Sequence, residues 1–429
     1  MKKNLLLVAS LFAGLFASAQ EVDENGYTTV NVAMEAGYAK QVYYQLSTNT
    51  QTAVAANSWD IAFQKATGGA MSLGAIRVND QRITAFYESG NASTWATTDI
   101  ANIANWTQLY NDAKEWETGA FNNASDTTPP FGFNWGTYNS TTHHIEGSRV
   151  FVMQFGQGAA ATYKKIIVTD LNVQTQGGPT YTLTVSSYNG TEWSADQTVT
   201  VQVANASTSE FVYLSLETNA LVEVSPADTA WDFVFDRYYD LVASQNGDVM
   251  YLVTGAQTNN VSVAAVDEAG TSTTFTLPAA DSYSADINAI GDKWKSFSGG
   301  AYVIPEKTYY IKQADGTIYR MYFLSFSGTA SGALSFKFKN VTPTAGVGEF
   351  NKSTFSVYPN PAVDGNVTIN NNLEANGTIN VYTLTGANVF SAELNQTSQN
   401  LNLSGLTAGM YIVKVEAGNY SESKKLIIK

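Results

Sequence analysis

Two histidines, His143 and His144, stand side by side in a chain of 429 residues that contains no cysteine. Without thiolates there is no disulfide scaffold, zinc finger, iron–sulfur cluster or cysteine nucleophile, and two imidazoles are too few for a His-rich metal site. A hydrolase triad needs a base, and neither histidine sits in a Gly-x-Ser-x-Gly or comparable context. Gly156-x-Gly158 lacks the third glycine and the strand-to-helix setting of a dinucleotide loop, so it reads as a turn. The 37 acidic residues offer carboxylate pairs, but the sequence alone sets none at the separation a glycosidase requires. Asp23-Glu24-Asn25-Gly26 is a fragment of a calcium loop without its remaining ligands. Enzymatic activity is therefore not expected.

The elements that must position these residues are strands. Tyr, Phe and Trp number 24, 21 and 8, only 14% of residues are charged against 44% hydrophobic, and 33 Gly and 9 Pro punctuate the chain. That profile belongs to packed β-sheets joined by turns. The formal charge of −14 repels phosphate backbones, so no nucleic-acid partner is expected. Alternating runs mark strands at Arg149–Met153, Tyr163–Val168 and Tyr181–Val185, and later at Tyr309–Lys312, Tyr319–Phe323 and Gly332–Phe338. Asn105–Trp116 reads as a short helix, with Trp106, Leu109, Tyr110 and Ala113 on one face. The loop that follows carries Pro129-Pro130 and the aromatics Phe121, Phe131, Phe133, Trp135 and Tyr138. Such rings either form a sugar-stacking platform or fold back over a sheet edge.

One pattern occurs twice, about 170 residues apart. Tyr44-Gln45-Leu46-Ser47-Thr48-Asn49 precedes Trp59-Asp60-Ile61-Ala62-Phe63, and Leu214-Ser215-Leu216-Glu217-Thr218-Asn219 precedes Trp231-Asp232-Phe233-Val234-Phe235. Two related modules are implied rather than a solenoid. Alternation places each Trp on one strand face with the following Ile or Phe, bound for the core, and the Asp on the other. There it caps a turn or pairs with an arginine such as Arg77 or Arg237.

The two termini carry sorting information. Lys2 and Lys3, the apolar run from Leu5 to Phe16 and Ala17-Ser18-Ala19 read as a signal peptide over residues 1–19, with the mature chain starting at Gln20. With no cysteine after that run, a lipoprotein anchor is not expected, and no segment has the apolar length of a transmembrane helix. At the other end, Tyr358-Pro359-Asn360-Pro361 with Gly365, then Leu384-Thr385-Gly386, then Leu406-Thr407-Ala408-Gly409-Met410-Tyr411 and a lysine-rich last strand containing Lys425 and Lys429 resemble the type A C-terminal sorting domain of the type IX secretion system. The resemblance covers roughly the last 75 residues. It implies the type IX secretion machinery as a partner, and a product that is secreted, extracellular or attached to the outer cell surface. Residues 352–429 hold five Lys and five acidic residues, so the tail is neutral; without it and the two signal-peptide lysines, residues 20–351 carry a charge of about −16.

The repeated segments, with Ile76-Arg77-Val78-Asn79 and the late strands after Ala314-Asp315-Gly316, resemble the HmuY family of secreted haemophores. The expected architecture is mainly β with antiparallel sheets: two related β-rich modules followed by a small C-terminal β-sandwich domain. Its parts are a first module over 20–205 with a helical and loop insertion, a second over 206–341, a linker over 342–351 and the sorting domain over 352–429. The resemblance implies haem or another porphyrin as ligand, held by two axial side chains on opposite sides. Adjacent residues on a strand face opposite ways, so at most one of His143 and His144 serves a given iron. Met71, Met153, Met250, Met321 or a tyrosine would supply the second ligand, and Met153, ten residues from His143 on the following strand, is the candidate singled out. The competing expectation is a surface structural or adhesive protein, glycan-binding, that has lost haem ligation.

Overall fold

A computed structural model describes residues 22–65, 74–125, 133–343, 355–373, 376–418 and 420–429. The signal peptide, Gln20, Met71, Pro129-Pro130, Phe131 and linker residues 344–351 lie outside the described residues. Two compact units meet between Thr342 and Pro343. Among the described residues the regular structure is antiparallel strands with short 3-10 turns, so the chain is mainly β.

The larger unit is built in layers, and alternation along each strand explains why. An eight-stranded sheet covers one face of a four-stranded sheet of Ala220–Val222, Phe211–Ser215, Ile61–Gln64 and Ile76–Val78. Ile61, Phe63, Ile76 and Leu214 point into that first core, against Phe86, Phe151 and Val168. A second four-stranded sheet of Val249–Thr258, Phe233–Val242, Lys40–Gln45 and Thr50–Ala55 packs Val42, Tyr44, Phe233 and Phe235 against a five-stranded outer sheet. Each buried Phe or Ile of these cores contributes roughly 1.5–3 kcal/mol relative to exposure. The intervening residues, Ala62, Phe211 and Tyr213 on one inner sheet and Tyr43 and Val234 on the other, face each other through Val54 and Trp116. Two sandwiches thus lie back to back.

The repeat explains how the sandwiches are joined. Strand Phe211–Ser215, from the second copy, pairs with Ile61–Gln64 of the first, and Lys40–Gln45 of the first pairs with Phe233–Val242 of the second. Each copy therefore contributes a strand to the other's inner sheet. The aspartate after each tryptophan ties the exchange: Asp60 Oδ2 accepts from Leu216 N at 2.6 Å, and Asp232 Oδ2 accepts from Leu46 N at 2.6 Å. The turn-capping role stands, but the side-chain partners are Arg82 on Asp60 at 2.5 Å and Gln313 on Asp232 at 2.7 Å, not Arg77 or Arg237.

Two local expectations give way. Strand pairing begins only at Ile61 and Phe233, so alternation does not extend back to Trp59 and Trp231. Both rings turn away from the outer cores toward the space between the inner sheets. Within Asn105–Trp116 the helical spacing is overridden by an open sheet edge: Thr107–Leu109 is a strand paired with Ala85–Asn91, placing Leu109 opposite Phe86.

The smaller unit has a three-stranded and a four-stranded antiparallel sheet over one core that includes Phe355, Ile369, Val381, Val413 and Leu426. Two facing sheets with a shared core are compatible with a small β-sandwich.

Candidate functional site

The sequence-predicted ligands do not converge. His143 is exposed in the turn after Gly136–Asn139, with φ of 60°, and its Nδ1 lies 2.6 Å from the Tyr138 hydroxyl. His144 opens the strand His144–Gly147, half-buried, with Nδ1 2.9 Å from Asp170 Oδ1. Met153 is 0% exposed in the first core. Strand Thr162–Asn172 measures the gap: Leu171 lies opposite Ile145 and Lys164 opposite Met153. Seven residues of extended chain span roughly 23 Å. Met321 is fully buried in the second core, and Met250 sits half-buried on Val249–Thr258. A two-sided porphyrin clamp from a histidine and Met153 does not fit this arrangement. No cluster of three or more His, Asp or Glu side chains suited to a metal ion occurs among the described residues.

Nor do the described residues of the aromatic loop form a platform. Phe121 and Trp135 are 0% and 1% exposed, and Phe133 and Tyr138 pack partly against the first core. The chain folds back over the sheet.

What the strand exchange assembles instead is a cavity of about 60 Å³ between the inner sheets. Its walls repeat with the sequence. Trp59 meets Tyr213 edge-on at 5.0 Å, and Trp231 meets Tyr43 edge-on at 5.0 Å, so each copy's tryptophan packs on the other copy's tyrosine. Trp116, from the segment between the copies, closes the end with Nε1 donating to Thr258 O at 3.0 Å. The symmetry fails at Gln41. Trp59 Nε1 donates to Gln41 Oε1 at 3.1 Å. The residue equivalent to Gln41 in the second copy is Phe211, which has no acceptor, and Trp231 Nε1 is left without a protein partner.

It has company. Gln81, Asp236, Arg237, Tyr238 and Gln257 also line the cavity, and Gln81 Oε1, Asp236 Oδ1, Arg237 Nε, Tyr238 OH and Gln257 Nε2 have no hydrogen-bond partner within the protein, although the Arg237 guanidinium lies 5.4 Å from the Tyr38 ring of the second core. Trp231, Tyr238 and Gln257 are 7%, 2% and 3% exposed. A buried polar atom left unpaired costs about 1–3 kcal/mol, and native interiors rarely tolerate several together. The charges nearby are better satisfied. Arg77 donates to the carbonyls of Asp112 and Glu115, each at 2.8 Å, and of Thr118 at 3.0 Å, with its guanidinium 5.0 Å from the Trp116 ring centre. Asp80 accepts from Asn111 Nδ2 at 2.9 Å and Tyr239 N at 3.3 Å. Burial nonetheless pushes the Asp80 carboxyl up to about 6, with Arg77 opposing, and raises Asp236 well above the carboxylate range.

The sequence marked Trp59, Trp231 and Arg77 but assigned them to cores and ion pairs. Their convergence depends on the strand exchange, which strand patterns do not encode. A sequence signal for the site did exist: Gln41 and Phe211 differ between repeats that otherwise share aromatic and acidic positions.

In the smaller unit the proposed sorting residues form a clasp. Asn360 Nδ2 donates to Lys425 O at 2.6 Å and its Oδ1 accepts from Ile427 N at 2.9 Å, while Pro359 and Pro361 flank it. Lys429 N donates to Ala362 O at 2.8 Å, and the Tyr411 hydroxyl donates to Thr407 O at 2.8 Å. Gly365 has φ of 74°, and a Cβ there would lie 2.6 Å from Ser404 Cα. Gly409 and the side chains of Lys425 and Lys429 are exposed.

The profile of the HmuY protein family matches residues 37–183 and 207–338, and that of the secretion system C-terminal sorting domain matches residues 356–429. No curated protein matches the chain. Among solved structures, apo PinO from Porphyromonas gingivitis aligns at 11% identity over 73% of this chain and 96% of that one, with a TM-score of 0.27.

Proposed function

This chain belongs to the HmuY family, and from that premise we propose that it is an exported binding protein, not an enzyme, whose ligand lodges between the two inner sheets rather than in a two-sided iron clamp. Its type IX sorting domain indicates export to the cell surface or the extracellular space. The observation that supports the cavity is the set of buried polar atoms without protein partners on its lining residues, among walls otherwise aromatic. At about 60 Å³ it is far too small for a porphyrin.

A second reading keeps the haem implied by the family. Asp170 engages Nδ1 of His144, the arrangement that orients an imidazole to offer Nε2 to a metal. Haem would then be met from one side only, on the outer sheet. Haemin titration of the mature protein, His143→Ala and His144→Ala decides between them. The first reading expects no Soret shift that depends on either histidine. A saturable shift lost only in His144→Ala would establish the second reading and a haem site apart from the cavity.

A further inference from the structure

We infer that the cavity between the inner sheets is a receptor for a small, neutral, polyhydroxylated ligand of about one sugar ring. This rests on the reading of that cavity as the ligand site and adds the chemical class. Size gives the first constraint. A buried water needs about 10–15 Å³, so about 60 Å³ admits roughly four to six waters, equivalent to the bulk of a single ring.

Hydrogen-bonding chemistry gives the second. The unpaired set mixes donors, Trp231 Nε1 and Gln257 Nε2, with an acceptor, Gln81 Oε1, and adds the Tyr238 hydroxyl and the Asp236 carboxyl, which burial pushes toward its protonated form, each able to donate and accept. A ligand bearing only acceptors, such as a carboxylate or phosphate, would leave Gln81 unanswered. An ammonium would leave the two N–H groups unanswered. Hydroxyls donate and accept at once, so several on a compact frame can answer the whole set. The aromatic walls suit the apolar C–H faces of such a ring. Charge gives the third constraint. Arg77 is spent on backbone carbonyls, Asp80 on Asn111 and a backbone amide, and Arg237 on the Leu252 carbonyl and the Tyr38 ring, so none of the three is free to select an ion.

The test uses the mature full chain and free D-galactose, D-mannose and N-acetyl-D-glucosamine, read by tryptophan fluorescence and calorimetry. One of them is expected to bind saturably. Trp231→Phe, which keeps the ring and removes the donor, should lose at least tenfold in affinity, and Ala62→Leu, which fills the space, should abolish binding. Circular dichroism confirms that each variant is folded, and Gln257→Leu serves in place of either that is not. In parallel, small molecules released by denaturing the protein from its native producer are identified by mass spectrometry. A stoichiometric ligand that is not a polyol, absent from Ala62→Leu, would overturn the ligand class while leaving the cavity as the site. No sugar response and no released molecule would overturn both, leaving a cavity that holds water only.

Discussion

Asp80 shows what a single residue can report about this interior. Its carboxyl is held up to about 6 chiefly by burial, against the opposing pull of Arg77. In the unfolded chain it ionises near the usual 3.8, so between about pH 4 and 6 the folded state binds more protons. Its stabilising contribution is complete below that window and is lost as pH rises through 6. Asp236, raised in the same direction, adds to the trend. Asp80→Asn, which cannot ionise, is therefore expected to flatten the fall in stability between pH 4.5 and 7.5 by about 2 kcal/mol. Urea midpoints at the two pH values measure it, and equal slopes in the two proteins would refute a strained buried carboxylate. Little at this scale was legible beforehand. The sequence shows that Asp80 follows Asn79 but carries no sign that Arg77 and Asn111 enclose it, because those contacts close across separate turns.

The strands themselves were far more readable, because alternation and turn residues are local. Thr308–Gln313, Ile318–Phe326 and Ala333–Asn340 all form where the period-two runs lie. The helix expected over Asn105–Trp116 was lost to an edge that only the folded sheet presents. The partner of each strand was hidden, since the repeat reads equally well as two self-contained modules or as two interlocked ones. Pairing of Tyr213 with Ala62, and of Tyr43 with Val234, selects the interlocked form. Residues 20–205 alone lack Phe211–Ser215 and would leave Ile61–Gln64 unpaired on that side, with its apolar residues open to water. Residues 206–341 alone likewise lack Lys40–Gln45. Each fragment is therefore expected to be unfolded or aggregated when expressed singly, and the two to co-purify as a folded complex when co-expressed. A cooperative thermal transition from either fragment by itself would contradict the interlocking.

For the molecule as a whole, export and binding are housed in different units. The passenger owns two complete cores and nearly all of the negative charge, whereas the tail is neutral and closes its own core with the Asn360 clasp on the last strand. The tail was the most legible part of the chain, because its motif residues hold one another: Pro359-Asn360-Pro361 and Lys425 meet across two strands, so their spacing is constrained directly. The passenger's proposed ligand site was the least legible, because its residues meet only through exchanged strands. Deleting residues 352–429 is accordingly expected to halt the chain in the periplasm. The same deletion should leave the passenger's unfolding transition and tryptophan emission unchanged, since none of the residues of its two cores is removed. Fractionation of the producing cells, paired with melting curves of the periplasmic product, tests both halves of this expectation. Truncated protein in the medium would refute the tail as the export signal, and a destabilised periplasmic product would show that the passenger depends on the tail for its fold.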